Sequence, residues 1–176
     1  MFIPGFLITL ATFPGVIVHE LAHQFFCRLF NVPVFKVVYF KTGNPAGYVL
    51  HEVVANKWHS MLISIGPFFV NTVIGALIAF PAALPVFKFD NGNIADYLLI
   101  YLGVSIAMHA FPSTGDGKAI WDDLKNSETS IFVKILGYPI IGLIYLGSIG
   151  RFFWLDLAYG VAIAIGLPTL LISLIA

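Results

Sequence analysis

The stretch VIVHELAHQFF, residues 16 to 26, places His19, Glu20 and His23 inside an otherwise apolar run. Ionisable groups in apolar surroundings are expensive, so three of them within one helical turn point to chemistry rather than packing. On a helix, His19 and His23 stand on one face, about 6 Å apart along the axis. Two imidazoles so placed can reach a single zinc ion. Glu20 points to the side of that face, beside the ion rather than on it. From there it can take a proton from a zinc-bound water, whose pKa of about 7 makes a nucleophile available at neutral pH. This is the H-E-x-x-H arrangement of metalloproteases. The competing reading is a chance pattern with two buried histidines satisfied by neighbours. The cost of stranded polar groups in an apolar helix weighs against it.

A catalytic zinc needs a third protein ligand and one open position. Cys27 lies eight residues past His19, about 12 Å along a helix. Zinc bonds are about 2.0–2.3 Å long, so one straight helix cannot supply all three ligands. Cys27 therefore reads as a packed thiol. His51, Glu52 and His59 flank apolar runs and read as exposed or interfacial residues. Asp116 lies in PSTGDGK, between glycines that allow tight turns and close backbone approach. Two readings of Asp116 stand: a zinc ligand, or the aspartate of a turn or helix N-cap.

The elements that must position these residues are mostly apolar. Of the 176 residues 59% are hydrophobic and 10% charged, against about 25% charged in an average soluble domain. Such a chain cannot coat a water-soluble globule, which implies several spans of a lipid bilayer. Net charge is zero and no basic patch points to nucleic acid. A lone cysteine offers no intrachain disulfide. The opening MFIPGFLITLATFPG lacks a basic n-region and a small-residue cleavage site, so it reads as part of the first span.

The first apolar run covers residues 2–30, with a kink expected at Pro14–Gly15. Residues 33–54 alternate Val, Phe and Tyr with polar residues around KTGNPAG and predict a β-hairpin. Residues 58–87 predict a second span broken late by Pro81 and Pro85, and residues 94–111 a third. FPSTGDGKAIWDDLKNSE predicts a loop leading into a short amphipathic helix; residues 131–149 and 152–175 predict the fourth and fifth spans. The expected fold is an all-α polytopic membrane protein of about five transmembrane helices, with a small β-hairpin after the first, forming one domain over 1–176. No internal repeat of the transporter kind is visible. The side where the first span ends receives Arg28, Lys36, Lys41, Lys57, Lys118, Lys125 and Lys134, and the other side Lys88 and Arg151. The positive-inside rule makes the richer side cytoplasmic, with the N-terminus outside and the C-terminus inside.

HELAH in the first run, the hairpin after it, ISIGPFFVN at 63–71 and HAFPSTGDG at 109–117 together resemble the site-2 protease family, over roughly residues 10–122. The resemblance implies an intramembrane zinc endopeptidase with one catalytic Zn2+, acting on transmembrane protein segments; the charge count places that site toward the cytoplasmic side. It implies a core within 1–122, with residues 129–176 as additional transmembrane helices. It makes His19, His23 and Asp116 the zinc ligands and Glu20 the catalytic base. Asn71 takes the place of the asparagine in the family's G-P-x-x-N stretch, and His109 that of the asparagine in N-x-x-P.

The chain departs from the pattern in three places. Pro112 and Asp116 are four apart rather than five, three residues rather than two separate Pro67 from Asn71, and His109 replaces an asparagine. His109 either polarises a tetrahedral oxyanion or packs helices together. The hairpin, through an edge in 34–40 or 47–53 that includes Val37, Tyr39 and Tyr48, either pairs with an unwound substrate by β-addition or is purely structural. The alternative to an enzyme is a non-catalytic zinc-binding membrane protein of the same fold. The altered spacings motivate that reading and the intact Glu20 opposes it.

Overall fold

The computed structural model describes residues 5–175 and is 74% helical. Helices α1 (Gly5–Ala11) and α2 (Phe13–Leu29) meet at Thr12 with a bend of 80°. The break falls two residues before the expected kink. Pro14 instead occupies the first turn of α2, where its missing N–H costs no helical hydrogen bond. The start of the first apolar run, residues 2–4, lies outside the described residues. Helix α2 carries Arg28 in its last turn, where a cation suits the helix dipole. Asn31 then adopts a left-handed φ of 55°, a conformation asparagine tolerates, and Val32 N–H closes on Cys27 O.

The expected hairpin forms from β1 (Val34–Val38) and β2 (Tyr48–His51), antiparallel, with Val37 opposite Val49 and Val38 opposite Tyr48. It lies along α2. The Tyr39 hydroxyl donates to Gln24 Oε1 at 2.8 Å, and the Phe40 ring meets Phe13 at 5.7 Å. Its 40–47 turn is thereby carried to the corner between α1 and α2.

Asn56 caps α3 (Lys57–Ala83) by accepting from the N–H groups of Trp58 and His59. Pro81 and Pro85 do not break it. The wider π-turn Leu84–Lys88 takes up Pro85 at its start, and the helix runs unbroken for 32 residues. Helix α4 (Ile94–Met108) starts in a capping box of Asn93 and Asp96. Its 15 residues reach about 22 Å, short of a hydrocarbon core of about 30 Å, so the third expected span is not a full one. The amphipathic α5 (Thr114–Lys125) forms as expected. Helix α6 (Ile131–Gly150) runs into a 3₁₀ turn, Arg151–Phe153. The chain turns at Trp154, and α7 (Leu155–Val161) continues through a π-turn into α8 (Leu167–Ile175).

Among the described residues, three helices are long and apolar enough to cross a bilayer: Lys57–Lys88, Ile131–Phe153 and Leu155–Leu174. The bent α1–α2 pair makes a fourth if it counts as one span, so the structure holds three to four rather than five. Helix α3 carries an open apolar stripe, where Phe69, Val73, Leu77 and Phe80 recur at helical spacing and are all exposed. A water-soluble protein rarely leaves so large an apolar stripe open.

Close packing holds the functional helices together. Gly75 and Ala79 of α3 face Gly103 and Ala107 of α4. A Cβ on Gly75 would stand 2.8 Å from Gly103 O, and one on Gly103 2.6 Å from Ala79 Cβ. Small residues of this kind let helix backbones approach in a bilayer, where dispersion replaces the hydrophobic drive. Gly15 does the same between α2 and α4: a Cβ there would run into Ser105 O. Met61, Ile120, Leu124, Val133, Ile141 and Ile144 bury α5 between α3 and α6. Cys27 is fully buried with Val54 and Ile63, the packed thiol expected of it.

Candidate active site

His19 and His23 lie on the buried face of α2, one turn apart, with their Nε2 atoms 3.2 Å from each other. Each ring is fixed through its other nitrogen. His23 Nδ1–H donates to Ile63 O at 2.9 Å, and His19 Nδ1–H donates to His109 O at 2.7 Å. A carbonyl oxygen can only accept, so both protons sit on Nδ1. Both Nε2 lone pairs are then free in the neutral rings. Such orientation by an outer partner is how metal-binding histidines are held.

Neither carbonyl is available by accident. In a regular helix Ile63 O would accept from the N–H of residue 67, but residue 67 is proline and has none. Pro67 inside α3 therefore frees the oxygen that orients His23. His109 is the C-cap of α4, so its carbonyl belongs to the set that a helix end leaves unsatisfied. Asn71, fully buried, also donates its amide to His109 O (3.3 Å), and to Gly15 O (3.2 Å) and Ile106 O (3.1 Å). That one side chain ties α2, α3 and α4 together behind the histidines. Asn71→Ala removes these cross-helix bonds, although His109 O keeps His19 and Ile106 O keeps the His109 N–H, so stability should fall by about 0.5–1.5 kcal/mol. A depressed unfolding midpoint in detergent checks this.

Asp116 enters from the start of α5. Its Oδ2 accepts from Ser113 N–H (2.7 Å) and Ser113 Oγ–H (2.6 Å) in a capping box. Its Oδ1 faces His23 Nε2 at 3.3 Å. The capping reading of Asp116 thus takes one oxygen and leaves the other facing the histidines. Burial alone would raise the carboxyl, but when no ion is bound a proton shared on the His23 side, together with the Ser113 bonds, holds it well below the usual carboxylate range. Gly117 permits the approach of α6, since a Cβ there would touch Ile144 at 3.1 Å.

One ligand atom from each of His19, His23 and Asp116 lies within 4.8 Å of the other two. Three acceptors so close repel each other unless positive charge sits among them. A tetrahedral zinc with bonds of about 2.0–2.1 Å separates its ligands by about 3.3 Å. Two of the three separations, 3.2 and 3.3 Å, match that spacing and the third stays within 4.8 Å, so the donor set fits the ion in type and closely approaches it in size.

Glu20 is buried beside the cluster and opens with His19 onto a cavity of about 990 Å³. The 40–47 turn, the α4–α5 linker and the corner between α6 and α7 bound it. Gly47 presses its backbone on the Glu20 carboxylate: a Cβ at Gly47 would stand 2.8 Å from Oε1. The His109 ring lines the same cavity, and its Nδ1–H donates to Ser105 O at 2.9 Å. Val37, Tyr39 and Tyr48 do not line it; Tyr48 lies under Lys36 and Lys41, 5.8 and 5.3 Å from its ring centre. His59 stacks on Phe30 at 4.2 Å, and His51 bonds its neighbour's carbonyl, both outside the cluster.

Two supporting residues have sequence signals that were passed over. S-x-x-D at 113–116 spells a capping box. A proline within a helical pattern announces a freed carbonyl four residues earlier. Pro67→Ala restores an N–H that competes with His23 for Ile63 O. The helix should be no less stable, while zinc affinity falls by about 10-fold or more, readable by competition with a metal-binding dye.

No curated protein and no solved structure matches this chain. Residues 12–120, more than half of the 176, match the family described as "Putative zincin peptidase". That segment holds all four residues of the cluster and its base, and the chain belongs to this family, with the zinc-dependent peptidase chemistry that its description carries.

Proposed function

We propose that the chain is a zinc-dependent intramembrane endopeptidase of the site-2 protease type, cutting transmembrane segments of other proteins. The convergence of His19 Nε2, His23 Nε2 and Asp116 Oδ1 inside an apolar bundle, with Glu20 free on a cavity beside them, carries the reading. Zinc held by these three groups supplies a Lewis acid that lowers the pKa of a water and polarises a carbonyl. Glu20 takes the proton from the attacking water and passes it to the departing amide nitrogen, so the C–N bond breaks as the new C–O bond settles. Gly47 holds the carboxylate on the cavity side. His109 acts chiefly through its carbonyl, as a positioning residue for His19. Its Nδ1–H is committed to Ser105, so only a protonated ring could donate to an oxyanion.

The membrane setting rests on the apolar spans and on the open stripe of α3. His23 meets α3 at Ile63, six residues or about 9 Å from Lys57 and far from Lys88 at the other end. With Lys57 on the lysine-rich side, the site lies toward the cytoplasm. Arg151, expected on the opposite side, shares the cavity with His19 and so sits at the depth of the site rather than at the far surface. We assign the hairpin a roofing role, because its turn rather than its strands meets the cavity.

The test is hydrolysis of a model transmembrane substrate by the purified chain in detergent. Cleavage should stop with a zinc chelator and return with zinc. A zinc-loaded chain that leaves transmembrane and soluble peptides alike intact would instead favour the non-catalytic zinc-binding reading.

A further inference from the structure

Between residues 135 and 176 the chain carries only two charged side chains, Arg151 and Asp156. Both lie at the corner between two apolar helices, and both line the cavity that holds His19 and Glu20. An arginine between two spans is costly unless it faces water or a partner. Asp156 is only a loose partner. Its Oδ2 lies 3.8 Å from Arg151 Nε, beyond hydrogen-bond length, and its Oδ1 accepts from Leu157 N–H at 2.9 Å. The guanidinium itself makes no hydrogen bond among the described residues, and its side chain is 51% exposed. The two terminal NH2 groups thus form an unfilled fork on the wall of a cavity flanked by Phe152 and Trp154. A planar fork of N–H donors matches a carboxylate, which it binds bidentately.

We propose that Arg151 is a specificity-determining residue that binds a carboxylate of the bound peptide. That carboxylate is either an Asp or Glu side chain near the scissile bond or a free C-terminus. Asp156 stands on the Nε side of the guanidinium, too far to bond it, and leaves the fork free. The apolar remainder of the wall takes the hydrophobic part of the same segment. The helices beyond residue 129 then form part of the substrate site rather than only bracing the core. The inference rests on the peptidase reading for its ligand, but its test reads binding and does not need turnover.

The experiment uses the full-length Glu20→Gln chain, zinc-loaded, in detergent micelles. The probes are fluorescent apolar peptides with one Asp or Asn stepped through the sequence, and with the C-terminus free or amidated. The expected result is that one carboxylate position tightens binding by about 10- to 100-fold over its neutral counterpart. Arg151→Gln should abolish that preference without changing zinc content or binding of the neutral peptides, and Arg151→Lys should restore part of it. The stepped Asp series and the amidated series tell a side chain from a C-terminus. A preference that survives Arg151→Gln overturns the proposal, as does equal binding of charged and neutral peptides, or no binding of either. If the Arg151-dependent preference holds while wild type hydrolyses none of these peptides, the carboxylate site stands and the peptidase reading falls.

Discussion

Glu20→Gln should keep its zinc and lose hydrolysis by about 10²- to 10⁴-fold, the usual share of a general base. The side chain is not among the three groups that converge on the ion, and glutamine keeps its volume against Gly47. The change therefore removes proton transfer and little else. The measurement is kcat on a transmembrane substrate beside zinc content for the same sample. A large loss of metal in this variant would mean that Glu20 is a ligand and that the roles on α2 have been misassigned.

Asp116→Asn should act the other way round, through the metal. An amide presents one oxygen where the carboxylate presents two. The oxygen that Ser113 holds and the oxygen that faces His23 can no longer both be anionic acceptors. Zinc affinity should fall by more than about 100-fold, past the range seen for partners that only orient a ligand. Hydrolysis should then recover partly in excess zinc, as Glu20→Gln does not. Ser113→Ala, which removes one bond to the far oxygen, should show the same trend at about 10-fold. Equal zinc affinity in wild type and Asp116→Asn would remove Asp116 from the ligand set.

The residues of the cluster were readable because helical spacing is a local property: two histidines four apart and an adjacent glutamate need only α2 to form. The hairpin was readable for the same reason, from alternation and a Gly-Asn-Pro turn. Asp116 could be singled out but not settled, since turn and ligand chemistry favour the same residue type. One of its oxygens caps α5 and the other faces the histidines. What stayed hidden is the partnership across helices. Pro67 announces a free Ile63 carbonyl, but that His23, 40 residues away, would use it depends on how α2 crosses α3. The five expected spans are not all confirmed, and the shortfall falls where tertiary contacts end a helix. The apolar run at 94–111 stops being helical at Met108, because the His109 carbonyl is turned to His19 and Asn71 and the last apolar residues become the linker to Asp116. The break at Thr12 rather than Pro14 has a similar origin: Ser105 Oγ donates to Thr12 O and accepts from Gly15 N–H, fixing the corner from α4.

The most direct test of the account is zinc stoichiometry and hydrolysis measured on one preparation of the wild-type chain, before and after removal of the metal. The account predicts about one zinc per chain, as a single three-ligand site requires, with cleavage that disappears on chelation and returns as the site refills. A well-folded chain that takes up no zinc, or that cuts equally well without it, would contradict the account at its centre.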